Sequence, residues 1–214
     1  MKFDEAYGSR HVLADGTTVV LRLVQPSDRE ELHRQFLRMS PDSRYRRFFS
    51  GIRELSPEML DYLTIVDGRD HFAILAFKES LDLKEEAGVG IARFVRLPGE
   101  PDVAEAAVTV VDDYQGRGIG RLLLMKLVEA ARERGIKKFR GEVLTSNEPM
   151  CKLLEAAGAT GKETGEGTLE FDVPLEAEAP GSPARRVLSA VATSMATWLS
   201  RLYPPGHPAR ADRS

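Results

Sequence analysis

Apolar and polar positions alternate through HVLADGTTVVLRLVQ from His11, broken by Asp15 and Gly16, which predicts two short strands around a tight turn. Pro26, Ser27 and Asp28 then punctuate the start of a helix, REELHRQFLRM, and a further segment begins near SPDSRYRRFF. SPEMLDYLTI has Ser56 as N-cap, Pro57 at the first helical position and Glu58 behind it, a complete helix start. The period then changes. HFAILAF and AGVGIARFV are apolar runs bounded by charges and glycines, and read as consecutive strands joined by KESLDLKEE. DVAEAAVTVV is another strand, GIGRLLLMKLVEAARERG a long amphipathic helix closed by Gly135, and IKKFRGEVL a strand. NEPMCKLLEAAG reads as a short helix from Asn147 to Gly158, and ATGKE with TLEFDVPL as a terminal hairpin. Strands and helices interleaved with hairpins predict an α/β (α+β) fold, a single mixed sheet with helices on both faces.

A chain of 214 residues accommodates one domain with a modest appendage. The expected divisions are an extension over 1–10, a domain over 11–174 and a linker over 175–183. An amphipathic helix over 184–203 and a disordered tail over 204–214 follow. The helix repeats Val187, Val191, Met195, Trp198 and Leu202 along one face. Its sparse flanking basic charge favours docking on protein over a membrane surface. A net charge of -3 with 29% charged residues lacks the basic excess of a nucleic-acid partner. The single cysteine, Cys151, has neither a disulfide partner nor zinc-ligand neighbours, so no metal site is expected. No stretch has the character of a secretory signal or a bilayer span, which predicts a cytoplasmic protein.

The stretch DDYQGRGIGRLLL concentrates glycine and positive charge just before the long helix. Gly116, Gly118 and Gly120 permit positive φ and close main-chain approach, and a helix opening at Ile119 leaves its first N–H groups without intrahelical partners. With Gln115, Arg117 and Arg121 these groups form an anion site suited to a pyrophosphate; a plain tight turn is the competing reading. A dinucleotide fingerprint would require glycine where Arg121 stands, and a Walker A loop would require Lys and Ser or Thr after its last glycine.

The pattern Q-x-x-G-x-G, at Gln115, Gly118 and Gly120 between an apolar strand and an amphipathic helix, resembles the GNAT superfamily of N-acetyltransferases. The similarity runs from about His11 to Pro174 and includes Asn147, Leu153 and Gly158 in EVLTSNEPMCKLLEAAG. SRYRRFF, AEAAVTVVDDYQGRGIG and GEVLTSNEPM resemble, more narrowly, the acetyltransferase domain of bacterial Pat-type protein lysine acetyltransferases. The resemblance implies a GNAT-like, mostly antiparallel sheet and acetyl-CoA as co-substrate. It also implies a protein lysine as acceptor, with an acyl-CoA-forming enzyme among the candidate substrates.

Acetyl transfer to lysine needs a neutral amine, disfavoured at pH 7 by roughly 4–5 kcal/mol for a pKa of ~10.4. Strand alternation puts Val103, Glu105, Ala107, Thr109 and Val111 on one face, and Glu105 is the carboxylate inside this apolar run. Partial burial would favour its neutral form and make it a useful base, directly or through a water; from the residues alone a solvent-facing strand Glu is equally consistent. The resemblance assigns Glu105 as general base, the main chain around Val110 and Val111 to the pantetheine arm and thioester carbonyl, and Asn147 to the pantetheine. Many family members carry a tyrosine as general acid where this chain has Leu154, so the thiolate would leave unaided or take a proton from water. The resemblance also puts Arg44, Arg46 and Arg47 near the acceptor, where they would select its charge. His71 is expected to be an exposed loop residue, Cys151 a packing residue and Tyr114 a structural one. Two rival readings remain: an N-acetyltransferase acting on a small amine or amino acid, and a non-catalytic acyl-CoA-binding module that regulates a partner.

Overall fold

The computed structural model describes residues 1–41, 43–44, 53–79, 87–145, 151, 160–163 and 167–175. Its strands are β1 (Gly8–Val12), β2 (Thr18–Leu23), β3 (His71–Lys78), β4 (Ala87–Leu97), β5 (Glu100–Val110), β6 (Lys138–Leu144), β7 (Thr160–Glu163) and β8 (Thr168–Pro174). The described α-helices are α1 (Arg29–Leu37), α2 (Pro57–Thr64) and α3 (Ile119–Glu133). One sheet runs in the order β1-β2-β3-β4-β5-β6-β8-β7. Every neighbouring pair is antiparallel except β5 and β6, which are parallel and joined through α3.

Local chemistry accounts for the element ends. Gly16, at φ +82°, makes the β1–β2 turn, and Asp15 Oδ1 accepts the Thr17 N–H at 2.9 Å across it. Ser56 Oγ accepts the Met59 N–H at 3.3 Å as the N-cap of α2, with Pro57 behind it. Gly135, at φ +75°, stops α3.

The sheet is covered on both faces. Ile119, Leu123, Leu127, Ala130 and Ala131, at helical spacing on α3, pack against Val89, Ala92, Phe94, Ala104, Ala106 and Val108. On the opposite face Leu32 and Phe36 of α1 join Met59, Leu60 and Leu63 of α2 over Ala73, Leu75, Phe77 and Ala107. Gly88 lets α1 come close: a Cβ there would stand 1.8 Å from Gln35 Nε2 and 2.5 Å from Glu31 Oε1, and the Gly88 N–H donates to that same carboxylate at 2.6 Å. No helix among the described residues is long and apolar enough to cross a membrane.

Two expected boundaries are corrected. Residues 1–10 are not merely an extension: Phe3 (1% exposed) and Tyr7 belong to the core, and β1 starts at Gly8. Arg134 fixes this segment by donating to Phe3 O at 2.8 Å while stacking over Phe72. Two aromatics were enough to bury a stretch whose charges made it look peripheral. At the other end Leu175 is core rather than linker, and its N–H donates to Lys137 O at 2.8 Å. The expected linker beyond it, the helix over 184–203 and the tail lie outside the described residues, as does most of the expected helix around Asn147.

His71 also departs from expectation. It opens β3, its Nε2 accepts from Arg93 Nη1 at 3.1 Å, and its ring lies 4.7 Å from that of Tyr62. Burial, reinforced by the Arg93 charge, pushes its pKa down to about 3. The unfolded chain binds a proton near pH 6.5 and the folded one does not. Stability should therefore be unaffected above that pH and fall progressively between pH 6.5 and about 3, by a total of about 5 kcal/mol. Urea unfolding of the wild type and His71→Gln across this range tests it: the glutamine variant should show a shallower acid loss.

Candidate functional site

The pairing of β5 with β6 is short. Val103, Ala104 and Glu105 pair with Lys138, Phe139 and Arg140, and there the ladder stops, although β5 continues to Val110 and β6 to Leu144. On their outer sides both strands stay fully paired, β5 with β4 and β6 with β8. A wedge therefore opens in the middle of the sheet, with Glu105 on its last closed rung.

The direction of the main-chain groups along this wedge follows from two hydrogen bonds. The Val111 N–H donates to Val89 O at 3.1 Å, toward β4, and Asp102 O accepts from the Lys137 N–H at 2.7 Å, on the β6 side. Backbone polar groups alternate along a strand, so those of Ala106, Val108 and Val110 face the wedge. Gln115 closes part of its far end, its Nε2 donating to Val110 O at 3.2 Å.

At that end the chain turns into α3. Gly116 (φ +74°) and Gly118 (φ +90°) hold left-handed conformations that any residue with a Cβ adopts only with strain. The first intrahelical bond is Leu122 N–H to Gly118 O at 3.0 Å, which leaves the N–H groups of Ile119, Gly120 and Arg121 without helical partners. The first turn carries no acidic residue. Ile119 is buried and fixes the helix, whereas Gln115, Gly116, Arg117, Gly118 and Arg121 are exposed. The result is a helix end whose free amides, dipole and two arginines are chemically suited to an anion. Asp112 anchors the loop from below, accepting from Ser40 N–H (2.8 Å), Ser40 Oγ (3.1 Å) and Ser43 Oγ (2.7 Å). Burial pushes the Asp112 carboxyl up, but the Ser40 amide and the two hydroxyls outweigh it and hold the carboxyl below its ordinary value.

Glu105 is 9% exposed and shares its sheet face with Ala107, which packs beneath α1 and α2. Register places it in one cross-strand row, His71–Val95–Glu105–Arg140–Asp172. Arg140 is engaged on both sides: Nη1 and Nη2 donate to Glu100 at 2.6 and 3.1 Å, and Nε and Nη2 to Asp172 at 2.8 and 3.1 Å. These bonds raise its pKa further above the ordinary guanidinium value. Glu170 lies 3.8 Å from Arg140 Nε as well, so three carboxylates share the cation adjacent to Glu105. Farther along, Thr109 Oγ1 is buried with no hydrogen-bond partner among the described residues, on the same face.

The structure brings Glu105, Val110 and the loop from Gln115 to Arg121 to the two ends of one wedge. Val111 does not join them: its N–H is committed to Val89 and its side chain is 1% exposed in the core. The main-chain group missed at the level of sequence is Val108. The same period of two that assigned side-chain faces would have identified it once one backbone bond was known. Arg44 is spent on the fold, donating to Met39 O (3.0 Å) and Leu37 O (3.0 Å) at the end of α1. Asn147, Leu154, Arg46 and Arg47 lie outside the described residues.

The family model for acetyltransferases of the GNAT family matches residues 31–159. The acetyltransferase Pat of Mycolicibacterium smegmatis is 36% identical over 170 residues, covering 78% of this chain and 50% of Pat, so the chain spans about half the length of that relative. Acetyltransferase PA5475 of Pseudomonas aeruginosa is 37% identical over 152 residues, 70% of this chain and 79% of that protein. Among solved structures, the GNAT domain of S. lividans PAT superposes with a TM-score of 0.65 at 30% identity, covering 78% of this chain and 96% of that domain. A wedge between parallel strands, an amide-rich helix start at its end and these relatives agree: the chain belongs to the GNAT family of acetyltransferases, whose co-substrate is acetyl-CoA.

Proposed function

We propose that this protein transfers the acetyl group of acetyl-CoA directly to a lysine side chain of another protein, with Glu105 as general base. The observation that carries the reading is the position of Glu105 on the last rung before the sheet opens. A carboxylate there stands beside the wedge in which an acyl-pantetheine arm can pair with β5 as an added strand. Acetyl-CoA supplies an activated thioester. The N–H groups of Val108 and Val110 orient its arm and draw charge onto the carbonyl oxygen. The loop from Gln115 to Arg121 holds the diphosphate, and Asn147 contacts the pantetheine. Glu105 takes a proton from the lysine ammonium, directly or through a water; the neutral amine then attacks, the C–N bond forms, the C–S bond breaks, and the second nitrogen proton passes to the thiolate or to water. The thiolate, from a thiol of pKa ~8.5, leaves without an acid from the chain.

A protein acceptor is supported by the relatedness to Pat, and acyl-CoA-forming enzymes are the first substrates to try. A cytoplasmic setting, where acetyl-CoA is made, goes with this reading. So does a C-terminal helix that docks on protein. The test is incubation with acetyl-CoA and candidate proteins, read by mass spectrometry. Acetyl-lysine that appears with the wild type and disappears with Glu105→Gln is the expected result. Acetylation of free amines alone would reassign the acceptor, and coenzyme binding without any turnover would make the protein a regulatory module.

A further inference from the structure

Beyond the diphosphate loop, positive charge accumulates around one aromatic ring. The guanidinium of Arg117 lies 5.0 Å from the centroid of Tyr114, that of Arg38 5.8 Å and the ammonium of Lys78 6.0 Å. These residues come from the end of β3, the end of α1 and the loop, so the crowding is a product of the fold. Attraction to the ring contributes about 0.5–1 kcal/mol for each exposed cation, and an anion among the three would add charge-assisted bonds to it. Among the described residues the one carboxylate that pairs with the cluster is Asp15, at 3.5 Å from Arg117 on the β1–β2 turn. Arg38 gives one donor to Gly88 O at 3.0 Å, and among the described residues Lys78 has no ion pair. Elsewhere in the fold cations at comparable positions are matched, as Arg10 is by Glu79 and Arg96 by Asp70.

The helix start with Arg117 and Arg121 already suits a diphosphate. Lys78 and Arg38, gathered on Tyr114 from the ends of β3 and α1, are additional to it. We propose that Arg38, Lys78 and Tyr114 form a separate subsite for a second phosphate, the ribose 3′-phosphomonoester of the coenzyme. Its charge of nearly two at neutral pH matches the two unneutralised cations, and charge-assisted bonds of this kind are the strong ones. One ribose separates this group from the diphosphate in the ligand, and in the protein the Tyr114 ring lies against both Arg117 of the loop and the pair Arg38 and Lys78. Asp15 then serves as the resident counter-ion that Arg117 exchanges for phosphate.

This inference rests on coenzyme binding but is tested apart from it. Calorimetric titration compares CoA with 3′-dephospho-CoA for the wild type, Lys78→Gln and Lys78→Gln/Arg38→Gln. The wild type should bind CoA roughly tenfold more tightly than the dephospho form. Lys78→Gln should shrink that ratio and the double variant abolish it, with affinity for 3′-dephospho-CoA unchanged throughout. Equal affinity of the wild type for both ligands, or an equal loss for both in Lys78→Gln, overturns the subsite while leaving coenzyme binding intact. Binding of neither ligand removes the coenzyme reading itself, and this inference with it.

Discussion

Glu105→Gln is expected to lower kcat for lysine acetylation by about 10²–10⁴-fold, the usual range for loss of a positioned base. Affinity for CoA should change by no more than roughly twofold, because a group used only in the transition state contributes little to ground-state binding. Glutamine preserves the size of the side chain, and urea unfolding of the same variant separates a loss of stability from a loss of chemistry. The pH dependence sharpens the distinction. Without a base the reaction depends on amine that is already neutral, whose fraction grows about tenfold per pH unit below pH ~10.4. The residual rate of the variant should therefore climb with pH over a range where the wild type has levelled off. Steady-state kinetics from pH 6.5 to 9, with CoA binding measured in parallel, reads both effects. A variant with wild-type kcat and pH profile would remove Glu105 from the chemistry.

Gly90→Ala should be the most damaging small change near the wedge. An added Cβ would stand 2.9 Å from Thr109 O, 3.0 Å from Leu123 Cδ1 and 3.4 Å from Val110 Cγ2. The nearest of these atoms is backbone near the end of β5, held by pairing with β4, and cannot swing aside, and Leu123 is fully buried. Either β5 or α3 must move, at a cost of about 1–3 kcal/mol. Both define the proposed coenzyme site, so CoA affinity should fall with stability. Gly116→Ala is the contrasting case. No atom lies within 4 Å of its added Cβ, and the cost is the left-handed backbone alone, about 1–2 kcal/mol. Urea unfolding and CoA titration of both variants distinguish packing from conformational strain. A Gly90→Ala protein as stable as the wild type would show that the α3–β4–β5 contact is looser than its distances imply.

Much of this architecture is written in local periodicity. The runs HFAILAF and AGVGIARFV became β3 and β4, the glycine loop became the start of α3, and Ser56 capped α2, because each depends on neighbours in sequence. Side-chain alternation placed Glu105 and Ala107 on one face of β5, as observed. It does not reveal which edge each amide faces: the resemblance names the main chain around Val110 and Val111, and the register turns the amides of Val108 and Val110 toward the wedge and that of Val111 toward β4. That property needs the register of the neighbouring strand, which is tertiary information. Phe3 and Tyr7 escaped notice because a few charges outweighed two aromatics, although hydrophobic area follows the aromatics. The charge cluster around Tyr114 could not be read at all: Arg38, Lys78 and Arg117 meet only after the sheet has ordered their strands and helices.

The central claim is that the coenzyme enters as an added strand on β5 and ends on the amides of α3. Residue-resolved amide hydrogen exchange, measured by NMR with and without saturating CoA, tests it most directly. Val108, Val110, Ile119, Gly120 and Arg121 should gain protection on binding. Ala107, Thr109 and Val111, whose amides face β4, should scarcely change. Uniform protection along β5, or none at these five amides while CoA is bound, would contradict it.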